Sequence, residues 1–181
     1  MGFTISVLAC AHGHKDAFLR VACLRDTGEP DLLNEAPMSG ASDGRHFFVW
    51  RNTHQVKLFG RPDYKLISRT APFYCLDVVE SVNSLNVIRY EAGEKAWCIN
   101  GGTTGYAELG TPPFTKDDLI ASYLNYARKT HEVEDDEYDS FGLAGEALAL
   151  PTGFRYHEAT GLNFTALEGD LPYAKPWWKF W

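Results

Sequence analysis

The chain has no run of basic residues, no CxxC pair and no hydrophobic stretch near the length of a membrane span. Each of these gaps removes a class of function. A general nucleic-acid binder needs a basic stripe to displace counterions from phosphates. Here 17 Lys and Arg face 24 Asp and Glu, for a net charge of -7. That balance argues against nucleic acid and against an anionic membrane surface, and for a neutral or basic partner. A helix across a bilayer needs about 20 apolar residues, and nothing here approaches that. The N-terminal apolar stretch Phe3–Ala11 has no basic region before it, so it reads as a strand rather than a secretory signal. Gly2 and Ser6 match a lipidation pattern only at very common residues.

Catalytic signatures are missing as well. GxSxG, HExxH, the P-loop and the calcium loop do not occur, and the glycines of GEKAWCINGGTTG fit neither phosphate-binding register. The four cysteines, Cys10, Cys23, Cys75 and Cys98, are far apart in apolar surroundings. That pattern reads as buried free thiols in a reducing compartment. A cysteine nucleophile would need a base beside Cys75 or Cys98, with His54 the candidate, but no local signature supports it. His12 and His14 in the turn HGH have the spacing of a shared metal, and His54 or His157 would have to complete the set. Surface histidines are the plainer reading, so neither metal nor cofactor is expected.

What the chain does have is aromatic residues (14%) and an apolar fraction of 45% over 181 residues, enough for one self-sufficient core. Strands are expected at 3–10, 45–52, 55–60, 73–80, 82–90 and 94–99, with Ala92-Gly93 making a tight hairpin between the last two. Tyr106–Leu109 reads as a short edge strand and Leu162–Leu167 as a final one. Helical spacing covers 15–24 and 61–70, and 26–44 reads as a long loop pinned by Leu32 and Leu33. The clearest helix starts at Thr115 with Asp117 and Asp118 in its first turn. Its apolar stripe is Leu119, Ile120, Tyr123, Leu124 and Ala127. A shorter helix follows at Leu143–Leu150. The whole, 1–181, is expected to be a single α+β domain with 169–181 as an aromatic C-terminal tail. Its mainly antiparallel sheet should have five to seven strands and two to three packed helices. Val78, Val87, Ile88 and Trp97 should be buried, with Phe48 and Trp50 nearby.

Two surface features stand out. HEVEDDEYD places Glu132, Glu134, Asp135, Asp136, Glu137 and Asp139 within 132–139. Such a block stays in water, either as a solvated connector or as a patch that docks on a basic partner. Adjacent solvated carboxylates are poor glycosidase candidates, because those must face each other across a cleft. The tail LPYAKPWWKFW carries Trp177, Trp178 and Trp181, which either pack on the core or present the aromatic anchors that interfaces favour.

An ordered series then carries a family resemblance: APMSG before an aromatic strand, VVESVNSLNVIRYEAGEKAWCI, a GTPP step before a helix, and an acidic turn into YDSFGLAGEALALPTGFRYHE. It spans about residues 36 to 168 and resembles small bacterial immunity proteins of polymorphic, type VI and Rhs-type toxin–immunity systems. The resemblance implies a cytoplasmic, non-enzymatic protein without cofactor that binds and neutralises a cognate secreted toxin. The alternatives are a small hydrolase-like enzyme and a structural or adaptor protein of a phage or secretion particle.

Overall fold

The computed structural model describes residues 4–52, 63–130 and 138–169. Their architecture is one antiparallel sheet with helices on both faces. The strands are β1 (Thr4–Ala11), β2 (Leu24–Pro30), β3 (Met38–Ser42), β4 (His46–Asn52), β5 (Phe73–Val79), β6 (Ser84–Glu91), β7 (Glu94–Gly102), β8 (Ala107–Gly110) and β9 (Thr165–Gly169). The helices are α1 (Lys15–Val21), α2 (Tyr64–Ser68), α3 (Lys116–Thr130) and α4 (Ser140–Thr152). The sheet is 9-stranded, in the order β2-β9-β3-β4-β1-β5-β6-β7-β8. No helix among the described residues is long and apolar enough to cross a membrane.

The centre of the sheet explains the pattern of β1. Ile5 to Cys10 are buried without interruption, because both faces are covered. Ile5, Val7 and Ala9 join Val78, Leu85, Val87, Trp97 and Ile99 under α3 and α4, which contribute Leu119, Leu143, Ala147 and Leu148. Leu8 and Cys10 point the other way, into Phe18 and Leu19 of α1, Ile67 of α2, and Phe47 and Phe73. The period of two along a strand assigns each residue to its core. Val78, Val87, Trp97 and Phe48 are buried as expected, and Trp50 packs against the same cluster. Ile88 is only half-buried and lies on the opposite face, since it pairs with Cys75 and Cys98.

The sheet exceeds the expected five to seven strands because the segment read as a loop, 26–44, holds most of β2 and all of β3. MSGAS lacks the bulky residues that signal a strand, for a steric reason: a Cβ on Gly40 would come within 2.9 Å of the Phe47 ring. β2 pairs with β9 through a shifted register between Asp26 and Pro30, which hides its alternation. Leu32 and Leu33 do not pin this segment, being 82% and 77% exposed. The Asp31 N–H donates instead to the Phe164 carbonyl (2.9 Å), and its carboxylate accepts from Glu35 and Ala36 N–H.

Among the described residues three to four helices pack on the sheet, where two to three were expected, and their bounds differ from expectation. α1 stops at Val21 because Cys23 adopts a left-handed backbone (φ 56°). α2 covers only Tyr64–Ser68, capped by the Asp63 side chain accepting from Leu66 N–H. α4 begins earlier than Leu143 because Asp139 caps it, accepting from Gly142 N–H at 2.6 Å. It runs through Pro151, which occupies the last turn. Gly153 at φ 74° closes it, donating to the Ala149 carbonyl. The Ala92-Gly93 hairpin forms as expected, with φ 51° and 82°, both of the sign a two-residue antiparallel turn needs. The final strand lies at Thr165–Gly169, later than 162–167. The expected strand 55–60, and most of its turn at 52–54, lie outside the described residues.

Candidate functional site

Short polar links close the start of α3 and tie α4 to the sheet. Thr115 and Asp118 form a reciprocal cap at the start of α3: Thr115 N–H donates to the Asp118 carboxylate (2.7 Å), and Asp118 N–H donates to the Thr115 hydroxyl (3.2 Å). The Thr115 N–H, joined by the Thr115 hydroxyl at 2.8 Å, holds the Asp118 carboxyl below the ordinary range. At the start of α4, the Ser140 hydroxyl donates to the Gly102 carbonyl at 2.8 Å. Gly101 permits the approach, since a Cβ there would lie 1.8 Å from the Ser140 carbonyl oxygen.

Between α3, α4 and the segment after α4 lies a cavity of about 190 Å³. Its walls include Leu76 and Leu85 of the sheet, Tyr123 and Tyr126 of α3, Phe141 and Gly145 of α4, and Tyr156 beyond it. Two glycines of α4 line it. At Gly142 a Cβ would come within 2.5 Å of the Tyr123 ring. At Gly145 a Cβ would reach ordinary contact with Leu85, at 3.8 Å, so a methyl group fits there without a clash.

A buried ion pair forms one wall. The Glu146 side chain is 4% exposed and accepts from Arg155 at both oxygens, at 3.0 Å from Nε and 2.7 Å from Nη2. Ser122 also donates to Glu146. The Arg155 guanidinium lies 4.1 Å from the centre of the Tyr126 ring. The Tyr126 hydroxyl donates to Glu158 (2.8 Å) and meets His157 Nε2 at 3.0 Å. Ser122 and His157 therefore engage different partners, Glu146 and Tyr126, rather than forming a nucleophile–base relay.

Exposed carboxylates flank the cavity. Glu158 bonds Tyr126, and the Asp139 carboxylate accepts from the Tyr123 hydroxyl at 3.4 Å. Burial pushes the Tyr156 hydroxyl up, and the negative charges of Glu80 and Asp139 push it further.

Of the residues singled out in the sequence, Asp139 is exposed and sits beside this cavity. Glu132, Glu134, Asp135, Asp136, Glu137, Trp177, Trp178, Trp181 and His54 lie outside the described residues. His12 and His14 form an exposed turn, where His12 Nδ1 meets the Ser42 hydroxyl at 2.7 Å. Among the described residues no three His, Cys, Asp or Glu side chains gather to hold a metal. Cys75 and Cys98 are buried in β5 and β7, and burial raises both thiols. Cys10 is likewise buried and pushed up to about 12. Cys23 departs from the expectation of buried thiols: it is exposed, because the chain turns there between α1 and β2.

The Glu146–Arg155 pair was not anticipated from the sequence. One signal pointed to it: Glu146 is the single charged residue in SFGLAGEALALPT, and a lone carboxylate in an apolar helix needs a buried partner. No protein-family model, curated protein or solved structure matches the chain.

Proposed function

We propose that this chain is an immunity-type binding protein that docks on, and occludes, a cognate toxin domain with a basic surface. It acts in the cytoplasm, without catalysis and without a cofactor. The observation that carries this reading is the pair of exposed carboxylates Asp139 and Glu158, bonded to tyrosines of an aromatic cavity, in a chain of net charge -7. The acidic run 132–137 leads directly into Asp139 in sequence and extends the same sign of charge. Aromatic side chains next to a charged rim are the composition of binding surfaces. Like charges so arranged contribute little to folding, and they speed encounter with a complementary surface.

The test is co-expression with the toxin domain proposed as the cognate partner. The chain should rescue growth and co-purify with the toxin. A variant with Glu132, Asp135 and Asp136 reversed to Lys and Asp139→Asn should protect poorly while keeping its fold. Asn at 139 preserves the helix cap, which Lys would remove. Full protection by this variant would refute the reading.

A further inference from the structure

We infer that the α3–α4 cavity receives one cationic side chain, the guanidinium or ammonium end of an Arg or Lys, projected from the basic partner. The inference rests on the proposed function for the partner, but on the cavity itself for the chemistry.

Tyr123, Tyr126, Phe141 and Tyr156 line a space of about 190 Å³. A cavity of about 150 Å³ already holds a molecule the size of benzene, so a guanidinium or ammonium head fits. Aromatic faces attract cations through their ring quadrupole, and the attraction grows when the cation leaves water. The site already shows this chemistry internally, since Arg155 lies over Tyr126. Arg155 and Glu146 cancel each other in the wall. The carboxylate flanking the cavity is then Asp139, which accepts from the Tyr123 hydroxyl of its wall. Lys129 and Glu158, of opposite charge, line an adjoining hollow together and leave the cavity's own charge unchanged. An anionic ligand would meet this field unfavourably, and a neutral one would gain nothing from it.

Gly145 supports the same reading. Glycine inside a helix is unfavourable relative to alanine. Here no neighbour demands it, because a Cβ would touch only Leu85 at 3.8 Å. What the missing side chain preserves is the open volume.

The probe is n-butylguanidinium, titrated into the intact chain and followed by amide NMR shifts, with neutral n-butylurea as its isostere. Saturable shifts should centre on Phe141, Gly142, Gly145 and Tyr156. Butylurea should bind about two- to fivefold more weakly, the cation's share of the attraction. Gly145→Leu, which fills the cavity, should abolish the shifts. Asp139→Asn, which keeps the helix cap, should weaken them even if Gly145→Leu misfolds. Equal binding of butylurea, or no saturable shift up to about 50 mM, would overturn the inference. Loss of probe binding with charge-dependent toxin association intact would overturn this inference alone. Probe binding without any toxin association would overturn the partner reading and uphold the cation chemistry.

Discussion

Replacing Arg155 with Met is the sharpest test of how the α3–α4 layer is held. Glu146 is 4% exposed at its side chain and has Arg155 on both oxygens. Met keeps much of the aliphatic stem and removes the charge. The carboxylate left behind would retain the Ser122 hydroxyl but no counter-charge. Breaking a buried pair in this way costs about 3–5 kcal/mol, because the remaining charge is stranded out of water. The lost stacking on Tyr126 belongs to the same perturbation, at about 0.5–2 kcal/mol when partly buried. For a chain of this size each kcal/mol moves the melting point by roughly 2–4 °C. Arg155→Met should therefore lower it by roughly 10 °C, and urea unfolding should give the matching free-energy loss. The double variant Glu146→Leu with Arg155→Met should recover most of the loss, since no charge is stranded. A loss below about 1 kcal/mol in the single variant would refute the argument, because surface ion pairs have that magnitude.

Three further outcomes follow from particular contacts. Gly145→Ala should stabilise the fold by about 0.5–1 kcal/mol in thermal unfolding, while Gly142→Ala, which meets the Tyr123 ring at 2.5 Å, should destabilise it by about 1–3 kcal/mol. Burial pushes the Asp26 carboxyl up, but bonds from Thr165, Gly28 and Lys15 outweigh it and hold the group below its ordinary range. Its contribution is then present above the unfolded carboxyl range and lost as pH falls through the folded value. Asp26→Asn should lower the melting point at pH 7 and make little difference near pH 2, and an equal loss at both would contradict this. In the native protein, the three buried thiols Cys10, Cys75 and Cys98 should resist a maleimide while Cys23 reacts. Native labelling of Cys75 would mean that the sheet opens.

The fold was legible wherever a strand or helix carries its own pattern. β4, β5, β6, β7 and α3 stand close to where alternation and capping put them. The Ala92-Gly93 turn was readable because two consecutive residues must take positive φ. β2 and β3 were not legible, because their signals depend on distant partners. Gly40 is small to admit Phe47, and β2 finds β9 across more than 130 residues. The helix bounds failed for a related reason: Pro151 reads as a stop, yet the last turn of α4 tolerates it once Gly153 closes the helix.

Asp139 drew notice in the sequence through its charge, whereas its place beside the cavity and its role as a helix cap came only with the packing. The aromatic walls come from α3, α4 and the segment after them, and each ring reads locally as core. Only the packing of the two helices shows that Tyr123, Phe141 and Tyr156 enclose a space. Glu146 and Arg155 are nine residues apart, a spacing with no local meaning until Gly153 turns the chain back beside α4.

The central claim is that this chain meets a basic partner through its acidic surface. The direct measurement is the association rate with the toxin domain proposed as its cognate partner, for the native chain and the charge variant, across a salt series. Association of the native chain should slow steeply as salt rises. The variant should associate about tenfold more slowly at low salt, with the gap closing at high salt as screening grows. Equal rates at every salt concentration would contradict the account.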